Sequence, residues 1–305
     1  MKIDRRGFLR FAIASGVLTF AARANGNEKG KSANDDSLGA LMDITLCIGC
    51  RKCEQACNQA NNLPPPKVSF EDKSVFEKER RMTAEAYTVV NQYIPKDGDK
   101  PLCEHPVYVK LQCMHCNDPA CVSACIVGAL TKERNGAVIY DKDKCIGCRY
   151  CMVACPFQVP AYEYFNPLTP QVRKCTFCFD RLKKGERPAC VSVCTTEAIA
   201  FGKRSELLEL AKTRLKDRPE RYTDVIYGEK EVGGTSWMYL SPVPFEKIGF
   251  LKLPETAPPR LTEAIQHGIF KYFIPPLALY TTLGLAMHLF KERKNESTNK
   301  TDGGK

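Results

Sequence analysis

The sequence predicts an α+β fold assembled from a duplicated, cysteine-bearing module, and three observations carry that expectation. Sixteen of the seventeen cysteines in the 305 residues fall into four groups of four. Two motifs alternate along the chain. Cys47-Ile48-Gly49-Cys50-Arg51 returns as Cys145-Ile146-Gly147-Cys148-Arg149, and Pro119-Ala120-Cys121-Val122-Ser123 returns as Pro188-Ala189-Cys190-Val191-Ser192. Self-similarity of this kind marks duplication. Between the groups, short extended runs alternate with turn residues. With 44% hydrophobic residues the chain is too polar for a multi-span membrane protein and too apolar for disorder, and its length allows one large or two ordinary domains.

The N-terminus reads Asp4-Arg5-Arg6-Gly7-Phe8-Leu9-Arg10, then an apolar stretch from Phe11 to Ala22 and the small-residue site Ala22-Arg23-Ala24. That pattern predicts a twin-arginine export signal over residues 1–24, cleaved after Ala24. Twin-arginine export carries folded proteins, so the signal itself predicts a cofactor inserted in the cytoplasm and a mature chain at the outer, periplasmic face.

The first cysteine group is Cys47, Cys50, Cys53 and Cys57. An insertion over 61–99 follows, with Leu63-Pro64-Pro65-Pro66 and the charged stretch Glu71 to Arg81, which reads as a partner-facing or solvated excursion. The second group is Cys113, Cys116, Cys121 and Cys125. Leu130 to Tyr140 places Asn135-Gly136 between extended segments, a signal for a two-residue hairpin. The third group is Cys145, Cys148, Cys151 and Cys155, the fourth Cys175, Cys178, Cys190 and Cys194. Ala198 to Phe201 reads as a short strand. Ser205 is placed to cap a helix running to about Lys216, with Leu207, Leu208, Ala211 and Leu215 on one face.

The C-terminus holds nineteen uncharged residues, Tyr272 to Phe290, then Lys291-Glu292-Arg293-Lys294. At 1.5 Å per residue they span about 28 Å, enough for one membrane crossing with the basic flank in the cytoplasm. Pro275-Pro276 fits only near the start of such a helix.

Groups one and three have the C-x2-C-x2-C-x3-C spacing of bacterial ferredoxins, in which thiolates at every third residue wrap a cubane and the fourth reaches a neighbouring cluster. Zinc needs paired C-x2-C ribbons that this run does not offer. Disulfides are the other reading open to an exported chain, but four near-identical quartets in a chain exported folded argue against them. The prediction is therefore duplicated bacterial ferredoxin-like modules around four [4Fe-4S] clusters, with a single C-terminal transmembrane helix. Which groups pair is left open by spacing, because nineteen residues separate groups two and three and nineteen separate three and four.

The net charge of +10 falls to +6 without the signal, and sixteen thiolates on four oxidised cores bring it near −2. The basic excess thus balances clusters, and no lysine-arginine stripe with interleaved aromatics calls for nucleic acid. Neither a nucleophile–base pair nor a carboxylate dyad, phosphate loop or dinucleotide fingerprint is present, so the chain is read as transferring electrons, with no catalytic residues of its own.

With the signal, the quartets and the anchor together, the chain resembles the four-cluster ferredoxin-like subunits of membrane-bound respiratory oxidoreductases. These include the beta subunits of formate dehydrogenase-N and of dimethyl sulfoxide and polysulfide reductases. It is most similar to the HybA-type iron–sulfur subunits of [NiFe] hydrogenases. The stretches that carry the likeness are Gln112 to Cys116, Gly147 to Pro156, Tyr227 to Glu231, Gly233-Gly234-Thr235 and the anchor entry Ile265-Gln266-His267. The resemblance implies nested modules over 40–218, residues 40–60 with 171–218 and residues 100–170 between them. It also implies a partner-docking extension over 219–260, an anchor over 262–292 and a cytoplasmic tail over 293–305. The ligand sets it implies are Cys47, Cys50, Cys53 and Cys194; Cys57, Cys175, Cys178 and Cys190; Cys113, Cys116, Cys121 and Cys155; and Cys125, Cys145, Cys148 and Cys151. The implied partners are the small and large subunits of a [NiFe] hydrogenase and a quinone-reactive integral membrane subunit. A molybdenum or tungsten enzyme such as formate dehydrogenase is the alternative complex.

Outside the quartets, Cys103 reads as a structural or free thiol. His115 reads as hydrogen-bonded to a cluster sulfur or as a surface residue. Arg149 and Lys52 are read as offsetting thiolate charge or as solvated cations. His267 and His288 lie about 31 Å apart on one helix and read as interfacial. Trp237 and Tyr239 are assigned to packing or docking.

Overall fold

The computed structural model describes residues 37–260 except 167 and 169, together with 263–264 and 279–290. The export signal, the anchor entry with His267, and the tail lie outside the described residues. In chain order the elements are β1 (Leu38–Asp43), α1 (Lys52–Ala60), β2 (Val89–Tyr93), β3 (Lys96–Asp97), β4 (Lys100–Pro101), β5 (Val107–Leu111), α2 (Ala120–Ser123), β6 (Leu130–Lys132) and β7 (Val138–Tyr140). The second half adds α3 (Tyr150–Ala154), β8 (Ala161–Tyr162), β9 (Val172–Arg173), α4 (Phe179–Lys183), α5 (Ala189–Ser192), β10 (Ile199–Lys203), α6 (Arg204–Asp217) and β11 (Trp237–Leu240).

β1 is the centre of a three-stranded sheet, antiparallel to β10 and parallel to β11. It is buried on both faces, so its alternating side chains serve two cores. Ala40 and Met42 pack with Phe177, Ile199, Trp237 and Tyr239, while Leu41 packs with Met238, Leu240, Leu207 and Ala211. α1 packs against α5 and α2 against α3, so the first group meets the fourth and the second meets the third.

Four details differ from the sequence-based expectations. The hairpin β6–β7 turns through Arg134, Asn135 and Gly136 rather than two residues. The Gly136 N–H bonds to the Glu133 carbonyl, the Glu133 N–H bonds to that of Ala137, and Gly136 has φ 94°. That is the three-residue hairpin closed by a left-handed glycine. α6 begins at Arg204, with Lys203 rather than Ser205 at its N-cap. Tertiary contacts set that start: the Arg204 N–H bonds to the Ser37 carbonyl, and its guanidinium binds the carbonyls of Thr235 and Glu229 at 2.8 and 3.0 Å.

The insertion is more than an excursion. It contains β2, paired with β5, and Arg80 from it reaches buried Glu54 of α1 at 2.6 Å. Glu54 also accepts the Val90 N–H and pairs with Arg51, whose Nη1 binds the carbonyls of Ser69 and Asp72. Lastly, the stretch 219–260 supplies β11 and buries Tyr227, Trp237, Tyr239 and Ile248 in the core.

Among the described residues no helix is long and apolar enough to cross a membrane. Of the expected anchor Tyr272 to Phe290, residues 279–290 are described. They form one helix on which Tyr280, Leu285, Met287 and Phe290 are exposed.

Candidate metal centre

The two halves of the repeat share a backbone plan. An aspartate four residues before the first cysteine caps a single 3-10 turn. Asp43 Oδ1 accepts the Thr45 N–H at 3.1 Å, and Asp141 Oδ1 accepts the Asp143 N–H at 3.0 Å. In the first C-x-x-C segment of each group the third residue lies in the left-handed region: Gly49 (φ 67°), His115 (48°), Gly147 (72°) and Phe177 (58°). Glycine is required at position 49, where a Cβ would come within 2.3 Å of the Tyr108 ring. His115 and Phe177 adopt the same conformation at a cost of about 1–3 kcal/mol each. The conformation turns the third N–H back onto the first thiol. Gly147 donates to Cys145 Sγ and Phe177 to Cys175 Sγ, both at 3.4 Å.

All seventeen cysteines are free thiols, and Cys57, Cys113, Cys121, Cys151 and Cys190 are buried. For four of them the strongest cysteine neighbours belong to the ligand set that the resemblance implies. Burial pushes the Cys47 thiol up to about 11, against the pull of the Gly49 N–H, and Cys194 and Cys50 add to the rise. Cys57 is raised by burial and then by Cys175, Cys190 and Cys178. Burial raises Cys121 to about 12, helped by Cys113 and Cys155 and opposed by Lys174. Cys151 is raised to about 11 by burial, Cys145, Cys125 and Cys148. Others also feel thiols of a different set: Cys53 feels Cys190 ahead of Cys47, Cys175 feels Cys113 ahead of Cys178, and Cys121 feels Cys151. Cys50 and Cys148, in the first and last sets, are the exposed members. Cys103 joins no set and is raised by burial alone.

The interior between the sets holds cations that the sequence reading missed. Lys110 and Lys174 are 1% and 4% exposed, with no carboxylate within ion-pair distance among the described residues. Burial alone would lower Lys110, but the thiols of Cys190, Cys53 and Cys175 hold it above its ordinary value. Lys132 is lowered to about 8 by burial, opposed by Cys116 and Cys113, and its Nζ binds the carbonyls of His115 and Gly136 at 3.0 and 2.7 Å. The signal for Lys110 was available: a lysine inside the apolar run Val107-Tyr108-Val109-Lys110-Leu111, three residues before Cys113.

His115 is fully buried, which removes its surface reading. Burial, with Lys174, Lys132 and Lys110 nearby, holds its pKa well below the usual range, so the ring is neutral. Its Nδ1 accepts the Val138 N–H at 2.8 Å, which puts the proton on Nε2. That N–H has no partner among the described residues. Arg149 lies over the Tyr162 ring at 5.4 Å, and Lys52 is exposed.

These residues fit iron–sulfur clusters. Buried thiols resist ionisation unless a metal supplies the opposite charge, and coordination then deprotonates them outright. Backbone N–H groups aimed at sulfur, buried ammonium groups and an orphan imidazole N–H all suit an anionic thiolate-bound cluster. Among the described residues no three His, Cys, Asp or Glu side chains gather tightly enough for a single metal ion.

Comparison with known proteins agrees. A 4Fe-4S dicluster domain family matches residues 105–204. The hydrogenase-2 operon protein HybA of Escherichia coli O157:H7 is 35% identical over 332 residues, covering 99% of this chain and 98% of that protein. The chain belongs to the HybA-type family of ferredoxin-like iron–sulfur subunits. A Nitratidesulfovibrio vulgaris protein is 50% identical over 252 residues, 81% of this chain, and the match spans 66% of that protein's length. The formate dehydrogenase-O iron-sulfur subunit of Escherichia coli K12 is 34% identical over 254 residues, 81% of each chain. As a member of the HybA-type family, the chain is an iron–sulfur electron-transfer subunit of the hydrogenase or formate dehydrogenase kind, and the matched dicluster domain covers the second, third and fourth cysteine groups whole.

Proposed function

We propose that this chain binds four [4Fe-4S] clusters and joins a periplasmic [NiFe] hydrogenase small subunit, with its large subunit, to a quinone-reactive integral membrane subunit. The ligands are Cys47, Cys50, Cys53 and Cys194; Cys57, Cys175, Cys178 and Cys190; Cys113, Cys116, Cys121 and Cys155; and Cys125, Cys145, Cys148 and Cys151. Bound clusters supply one-electron carriers at potentials that the surrounding protein sets. The observation that carries the reading is helix packing: α1 lies against α5 and α2 against α3, which brings the first cysteine group to the fourth and the second to the third, as the four ligand sets require. Exposed Cys50 and Cys148 support exchange of electrons with partner subunits at the clusters they would hold.

Residues 1–24 direct the folded chain through the twin-arginine pathway, and Tyr272 to Phe290 anchor it to the membrane. The exposed apolar side chains of helix 279–290 support that anchor, since water disfavours them all round. A hydrogenase is favoured as the partner because the likeness to HybA runs the whole length of the chain. The formate dehydrogenase likeness supports a molybdenum or tungsten enzyme as the second reading.

Metal analysis of the detergent-solubilised complex tests both. About sixteen iron atoms from this subunit together with nickel supports the hydrogenase. Molybdenum or tungsten without nickel moves the subunit to the second reading. In the same complex Cys148→Ala loses or converts one cluster and stops electron flow to quinone while the partner's active site is unchanged. Full hydrogen-to-quinone activity with all iron retained would sink the proposal.

A further inference from the structure

The cysteines of the second ligand set line a small cavity, and two of its other lining residues carry polar groups that packing does not explain. Cys57, Cys175, Cys178 and Cys190 all line it, with Lys110 and Trp237. Lys110 Nζ lies 4.5 Å from the Trp237 ring centroid and donates to Gln112 Oε1 at 2.7 Å, which occupies one of three ammonium hydrogens. No carboxylate neutralises it among the described residues. Trp237 is 1% exposed, and its Nε1 is buried with no hydrogen-bond partner among the described residues. A cation with no counter-charge and an unpaired donor are costly in a protein interior, and both become favourable beside a bound anionic cluster.

We propose that Lys110 and Trp237 raise the reduction potential of the cluster held by Cys57, Cys175, Cys178 and Cys190, the ammonium by its charge and the indole by donating its N–H toward cluster sulfur. The inference rests on the cluster reading above. Reduction adds one negative charge to the cluster, so a fixed positive charge and a directed N–H dipole both favour the reduced form. Lys110 also stands near Cys53 of the first set, so its charge reaches that cluster as well. Neither residue touches a substrate. They are positioning residues for the electron carrier.

The test is a redox titration followed by electron paramagnetic resonance on the purified complex, with iron counted for each variant. Lys110→Met should shift the reduction equilibrium of one step about tenfold toward the oxidised form, ~59 mV for a one-electron couple, with a smaller shift in a second step. Trp237→Phe keeps an aromatic side chain but removes the N–H, and should move that first step in the same direction by about threefold. A Lys110→Met chain that loses iron leaves the decision to Trp237→Phe. Unmoved steps with full iron overturn the proposal alone, whereas absence of iron from the unsubstituted chain overturns the cluster reading and this proposal with it.

Discussion

In the sheet β10–β1–β11, Leu41, Met238 and Leu240 are fully buried against Leu207 and Ala211 of α6, a helix of fourteen residues. In the module around the third cysteine group, Ile126, Ile146, Tyr150 and Val153 face solvent, and the helices α2 and α3 have four and five residues. Helices that short do not persist on their own propensity. The buried apolar cluster there consists of Leu130, Val138 and Val172 with two cysteines, Cys121 and Cys151. The sheet region is thus stabilised by apolar burial. The loop module leans on whatever its thiols bind. The same backbone plan, repeated at Cys47 and Cys145, is buttressed by a sheet in one copy and by only a small apolar cluster in the other.

Removing the iron is the largest test of that contrast. Amides of α2, β6, β7 and α3 should exchange at nearly the rate of an unstructured chain, while β1, β10 and β11 keep their protection. Equal loss in both regions, measured by hydrogen exchange and mass spectrometry, would erase the distinction. Next in size, Leu41→Ala should cost about 2–5 kcal/mol in denaturant unfolding of the metal-loaded chain. A loss below about 1 kcal/mol would mean that burial is not what holds the sheet. Smallest, Val153→Ala, at a side chain 88% exposed, should change stability by no more than about 0.5 kcal/mol and leave the iron count intact. A large loss there would show that the apolar face around Cys148 is packed rather than open.

Much of the candidate site was legible because its chemistry is local. The C-x-x-C spacing and its glycines fix a tight loop within four residues, and Gly49 and Gly147 adopt the left-handed backbone that such a loop needs. His115 and Phe177 take the same conformation without being glycine, so composition hides it. They occupy matching places in groups two and four and stack on each other, centroids 4.8 Å apart. The aspartate caps Asp43 and Asp141 were also in plain view, four residues before a cysteine. They were overlooked because the helical turn each one caps has only three residues.

The sequence by itself determined the cofactor chemistry, the duplication and the α+β class, since each depends on residues close together in the chain. Only the tertiary structure decided the company those residues keep. β1 pairs with β11 nearly two hundred positions away, and that pairing decides for packing over docking at Trp237 and Tyr239, which are buried in the core. It decided that Lys110 and Lys174 lie inside, because a buried cation needs partners: thiols of other elements gather round Lys110, and the Val138 and Cys175 carbonyls accept from Lys174. It also set the start of α6 at Arg204, whose guanidinium is held by carbonyls more than twenty residues away. Periodicity reports which side of an element avoids water, but it cannot report which other element, or which charge, will be waiting there.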